Sequence, residues 1–193
     1  MIDFSPIVER KINWTRFALQ FNKQDLYDQA IWLFDTIDEL IADATDEDVV
    51  FVPPDPDAHD DYAETEEEVE MSWNLSHVIV HVTASAEESA FLAAEVARGV
   101  PMEYRRSRFE TPWQIITTIQ QCRDRLEESR RMILASLEIW PDDPHLENYY
   151  KMSERGMKIT PMVRFLLGQE HAVDHLDQIE SILNQSQAAK QTA

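Results

Sequence analysis

Apolar residues recur every three or four positions along four stretches of the chain, and each stripe predicts an amphipathic helix. In the first, Leu26, Ala30, Leu33, Ile37, Leu40 and Ile41 keep the spacing to about Ala44, and Asn22 stands three positions before Asp25 in a capping-box pattern. The second stripe begins near Ser72 and ends about Arg98, where Gly99 supplies a left-handed stop and Pro101 follows. Here Trp73, His77, Val80, His81, Ala84, Glu88 and Phe91 share one side, and Leu75, Val78, Ile79, Val82, Ala86 and Ala93 cover much of the other. Apolar coverage that broad predicts burial against two neighbours. The third starts with the cap-then-proline pair Thr111-Pro112 and runs to about Glu138, with Ile115, Ile119, Cys122, Leu126, Ile133 and Leu137 as its stripe. In the fourth, Thr160 and Pro161 open a single long helix to about Gln187, striped by Phe165, Ala172, Leu176, Ile179 and Leu183. A short helix is also expected from Ser5-Pro6 to about Arg10.

The connections read differently. Residues 45–71 hold Pro53, Pro54 and Pro56 and a crowd of acids: Asp55, Asp57, Asp60, Asp61, Glu64, Glu66, Glu67, Glu68 and Glu70. That composition predicts a solvated crossover loop, and it lacks the alternating Asp/Asn pattern with central glycine of a calcium loop. Residues 141–159 form a second crossover. Helices of about 20–27 residues with long connections after the first and third predict an all-α four-helix bundle, with residues 1–193 as one domain.

Charge narrows the function. The 193 residues carry 37 acidic and 17 basic side chains, a formal net charge of −20. Such a surface repels nucleic acid and anionic membranes, so neither is expected as a partner. A basic island, Tyr104-Arg105-Arg106-Ser107-Arg108, is expected to neutralise acidic surface nearby, with docking of an anionic partner the sharper alternative. Cys122, the single cysteine, reads as a small core residue rather than a nucleophile, and a reducing compartment follows. No apolar run reaches the ~18 residues of a membrane span. The start, Met1-Ile2-Asp3-Phe4, lacks the basic and apolar blocks of an export signal, so a cytoplasmic location is expected. Trp14, Trp32 and Trp113 fall where exposed bundle faces would lie, which makes a homodimer one expectation.

The candidate chemistry is a cluster of histidines. His171 and His175 are one helical turn apart at the edge of the fourth stripe, so both imidazoles can reach one ion. Gly168, one turn earlier on that side, is expected to leave open space. A third ligand must come from another helix, and the second offers His77 and His81, again one turn apart. Three protein ligands leave a coordination position for water or substrate, the catalytic arrangement. The competing reading is a pair of core or rim histidines held by backbone carbonyls.

These motifs resemble the DinB-like superfamily of bacterial four-helix bundles, which includes YfiT-type proteins and thiol-dependent transferases. In that family a tryptophan is followed eight residues later by a ligand histidine and then Leu or Val. Trp73 through Val82 fits with His81 in the ligand place, and Gln169 through Ile179 fits the fourth-helix motif. The resemblance covers about Gln24 to Gln185 and implies a metal on His81, His171 and His175. It departs in the acidic 45–71 insert, the extra His77 and the basic 104–108 loop. It implies a metal-dependent enzyme acting on a small-molecule substrate: a hydrolase, or a transferase using a low-molecular-weight thiol. Three imidazoles suit zinc, nickel, iron or copper alike. Glu88, His77 and a metal-bound hydroxide are the candidate bases; Glu88 otherwise reads as a solvated surface carboxylate, and His77 as packing or a further ligand. Arg164, two turns before His171, is the candidate anion clamp for substrate or thiol, with snorkelling to solvent from the helix start the competing reading. Glu170 and Asp174 are expected to face solvent, and His59 and His145 to have no role. The alternative function is a non-enzymatic bundle that binds a metal, a ligand or a partner in a stress response.

Overall fold

A computed structural model describes every residue except 57, 60–65, 67–68, 104, 106–109 and 193. The described part is helical, as the periodicity predicts: α1 (Ser5–Val8), α2 (Trp14–Ala18), α3 (Lys23–Leu40), α4 (Asp46–Val50), α5 (Leu75–Ala97), α6 (Ile119–Glu138), α7 (Pro161–Asp174) and α8 (Leu176–Thr192), with a 3-10 turn at Trp113–Ile115. The only pairing of β type among the described residues is an isolated bridge between Tyr150 and Ile159.

Helix α5 is the central rod. Nineteen of its twenty-three residues are buried, and it packs most heavily on α7 and α6. Its small residues explain how it serves two neighbours at once. Gly168 of α7 lies against α5 so closely that an added Cβ would stand 2.5 Å from Ser89 Oγ and nearer still to Ser89 Cβ. The space at Gly168 is therefore filled by Ser89 rather than open. Helix α3 completes the core against α6 and α7 through Leu26, Leu33, Phe34 and Ile37.

The ends of the rods follow local chemistry. Asn22 and Asp25 form the expected capping box, with Asn22 N–H donating to Asp25 Oδ2 at 2.7 Å. Gly99 adopts φ 80°, and the ring of His145 packs over it, so any side chain there would meet both strain and His145. The first long helix ends at Leu40 rather than about Ala44 and the last runs to Thr192 rather than about Gln187, and three other boundaries differ from the sequence reading. Helix α5 starts at Leu75, because Asn74 is the residue whose side chain accepts the N–H of His77. Thr111-Pro112 opens only the 3-10 turn, with Ile115 exposed; α6 begins after Thr118, which shares a capping box with Gln121. The predicted single helix from Thr160 is two, α7 and α8, joined at His175.

The acidic crossover is not solvated throughout. Its first residues form α4, where Val49 is buried and Asp48 is almost fully buried. Asp48 accepts from Ser186 Oγ at 2.6 Å and Lys190 Nζ at 2.8 Å, tying α4 to α8. The Asp57, Asp60, Asp61, Glu64, Glu67 and Glu68 of that expectation, and Tyr104, Arg106, Ser107 and Arg108 of the basic island, lie outside the described residues. Arg105 is described, and both oxygens of Glu95 accept from its Nη2, at 2.7 and 2.8 Å. Trp14, Trp32 and Trp113 are half-buried against the core rather than fully exposed. Among the described residues no helix is long and apolar enough to cross a membrane.

Candidate metal centre

Helices α5 and α7 bring the histidines together. His81 Nε2 lies 2.9 Å from His171 Nε2. Seven residues further along α5 and seven back along α7, Glu88 pairs with Arg164 at 3.5 Å. The two pairs match only if the helices run in opposite directions. His175 joins from the junction with α8, and one ring nitrogen from each of His81, His171 and His175 lies within 4.8 Å of the others. The break at His175 has a local consequence: the residue caps α7, and its carbonyl accepts the N–H of Ile179 in α8 at 3.0 Å.

The outer nitrogen of His175 is hydrogen-bonded, and that of His81 faces a carboxylate. Gln178 Oε1 accepts from His175 Nδ1 at 2.7 Å. Glu110 Oε1 lies 3.5 Å from His81 Nδ1. A proton on Nδ1 leaves the Nε2 lone pair free to face inward, the state a metal ligand needs. Burial, the largest influence, pulls the His175 pKa down, which keeps that ring neutral and able to donate its lone pair. Tetrahedral bonds of 2.0–2.1 Å place ligand nitrogens about 3.4 Å apart, so modest ring movements fit this donor set to one ion. Among the described residues it is the one group of three or more ligating side chains so arranged. The three-histidine cluster could bind a metal ion.

His77 is not part of that cluster. Its ring lies between Trp73 and Trp113, stacked at 4.2 Å on one and 5.1 Å on the other. Trp73 also lies 4.7 Å from the His81 ring and 5.9 Å from the His175 ring, so the aromatic stack walls one side of the site. His77 therefore takes the packing role that its sequence position allows. Glu88 and Arg164, read separately as base and anion clamp, are joined to each other. Arg164 Nε is buried without a hydrogen-bond partner among the described residues, so the guanidinium keeps one donor uncommitted. Glu170 is half-buried rather than solvent-facing; burial and then the charge of Asp174 push its carboxyl up to about 7. Asp174 itself is exposed.

Sequence reasoning missed two residues of the site. Gln178 carries a usable signal, because it follows His175 by three positions on a helix. Glu110 carries none: it sits in a loop 29 positions from His81, and only the fold brings the two together.

The family model of the DinB superfamily matches residues 29–179. That span contains all three clustered histidines together with Gln178 and Glu110. No curated protein and no solved structure matches the chain.

Proposed function

The chain belongs to the DinB superfamily, and on that premise we propose that it is a metal-dependent enzyme acting on a small-molecule electrophile. His81, His171 and His175 would hold a divalent ion. Such an ion supplies Lewis acidity that makes water, or a low-molecular-weight thiol, nucleophilic near neutral pH. The reaction is then hydrolysis or thiol transfer. The observation that carries this reading is the convergence of three imidazoles whose outer nitrogens, on two of them, already meet Gln178 and Glu110.

The remaining residues divide the work. Gln178 fixes the His175 tautomer. Glu110, beside the outer nitrogen of His81, would orient that ring. Glu88 is engaged with Arg164 and His77 is enclosed by two tryptophans, so neither serves as the base. Arg164, steadied by Glu88, would present its uncommitted Nε to an anionic group of substrate or thiol. Trp73 and Trp113 exclude water from one flank.

The test is a screen of tag-free, metal-loaded protein against ester and amide hydrolysis and thiol-transfer substrates, with His171→Ala as control. The reading expects turnover that falls by at least roughly a hundredfold in the variant. Turnover that survives both the variant and a chelator would contradict it. Persistent inactivity of fully loaded protein would favour a non-enzymatic metal-binding role.

A further inference from the structure

The N-terminal segment lines an open surface pocket of about 570 Å³ that shares no lining residue with the histidine site. Ile12, Trp14 and Met157 give it an apolar surface; Arg10, Lys11 and Arg16 give it charge, and no carboxylate lines it. The local backbone explains the grouping. After α1 the chain reverses: Lys11 and Ile12 both donate to Pro6 O, at 2.9 and 3.2 Å, and Arg10 takes a left-handed φ of 57°. Asn13 then caps α2 by accepting the N–H of Arg16 at 2.9 Å. These two turns set Arg10 and Arg16 on the rim of one pocket. Trp14 is fixed there by edge-on packing against Phe17 at 5.9 Å.

The charges are out of keeping with the rest of the molecule. With 37 acidic against 17 basic side chains, a surface cation here should find a carboxylate. Lys11 does, in Glu9. The guanidinium groups of Arg10 and Arg16 make no hydrogen bond or ion pair among the described residues. The overall negative field does not cancel them locally, because salt screens exposed charges beyond about 8 Å. A guanidinium presents a planar fork of donors suited to a carboxylate. The volume falls within the range of small-ligand sites.

We propose that this pocket binds a small organic carboxylate with an apolar body, its charge taken by Arg10 and Arg16 and its body laid against Trp14 and Met157. The site is separate from the histidines, and its occupancy needs no metal. It is tested by titrating phenylacetate into the full chain, by calorimetry and by tryptophan fluorescence. The expected result is saturable binding that weakens roughly tenfold or more in the Arg10→Asn/Arg16→Gln double variant. Asparagine tolerates the left-handed backbone at position 10, so the variant should fold. Phenethylammonium, of similar shape and opposite charge, should not bind. Inorganic phosphate bound as tightly as phenylacetate would overturn the proposal, since the apolar body would then contribute nothing. So would equal binding of phenethylammonium, unchanged affinity in the double variant, or no saturable binding by about 10 mM.

Discussion

His81 and His171, ninety residues apart in the chain, face each other with their Nε2 atoms at 2.9 Å. Two imidazole nitrogens at that distance must share something, because two lone pairs would repel. A proton on one ring satisfies them, and so does a cation between them. A ring nitrogen of His175 lies within 4.8 Å of both, and the Nδ1 bond to Gln178 is the kind of outer contact a ligand imidazole makes, which favours the cation.

The ligand assignment predicts a split between neighbouring histidines. His81→Ala and His171→Ala should each lose most bound metal. His77→Ala should keep it, because that ring packs between Trp73 and Trp113. Elemental analysis of tag-free protein checks this. Metal lost in His77→Ala but kept in His81→Ala would reverse the assignment.

The outer partners should matter through affinity, not fold. Gln178→Ala and Glu110→Gln are each expected to weaken metal binding by about 10- to 100-fold. Competition with a chromogenic chelator measures it, and melting of the metal-free variants should stay close to wild type. Unchanged affinity in both variants would remove Gln178 and Glu110 from the site.

Contact between α5 and α7 at Gly168 should tolerate no side chain. Gly168→Ala is expected to destabilise the protein by about 1–3 kcal/mol, because Ser89 already occupies the space. Adding Ser89→Gly should recover part of the loss. Denaturant unfolding of the single and double variants tests the pair. A stabilising Gly168→Ala would show that the helices are farther apart.

Acid should loosen the C-terminal helix first. Hydrogen bonds from Lys190, Ser186 and Thr45 overcome the cost of burial and hold the Asp48 carboxyl well below the usual carboxylate range. A group depressed in the folded state stabilises above its unfolded pKa of about 3.9 and loses that contribution as pH falls toward the folded value. Asp48→Ala should therefore cost about 1–3 kcal/mol at neutral pH. Its deficit should shrink below roughly pH 4. Melting curves across pH read this directly, and a deficit independent of pH would deny the role of the charge.

Cys122 should be inert in the native protein. It is fully buried on α6, and burial pushes its thiol up to about 12. Alkylation is expected only on unfolding, with mass spectrometry as the readout. Rapid labelling under native conditions would place Cys122 at the surface.

Much of this was written in the chain, for identifiable reasons. The stripe of α3 and its Asn22 cap are local signals, and so is the stop at Gly99. The His171 and His175 pair shows in a single helical turn. Other features depend on partners distant in sequence. Thr111-Pro112 has the composition of a helix start, yet the stronger capping box at Thr118 and Gln121 decides where α6 begins. Nothing near His175 marks it as a helix junction. Asp48 lies in the 45–71 stretch expected to be solvated, and the partners that bury it, Ser186 and Lys190, are far along the chain. Helical spacing alone puts Glu88 on the His81 side of one helix and Arg164 on the His171 side of another, but their pairing depends on the register of the two helices.

The most direct test is a crystal structure with anomalous data collected at metal absorption edges. A peak is expected within about 2.1 Å of a ring nitrogen of each of His81, His171 and His175, and none at His77. A structure in which the His81 ring turns away from the other two, with no peak between them, would contradict it.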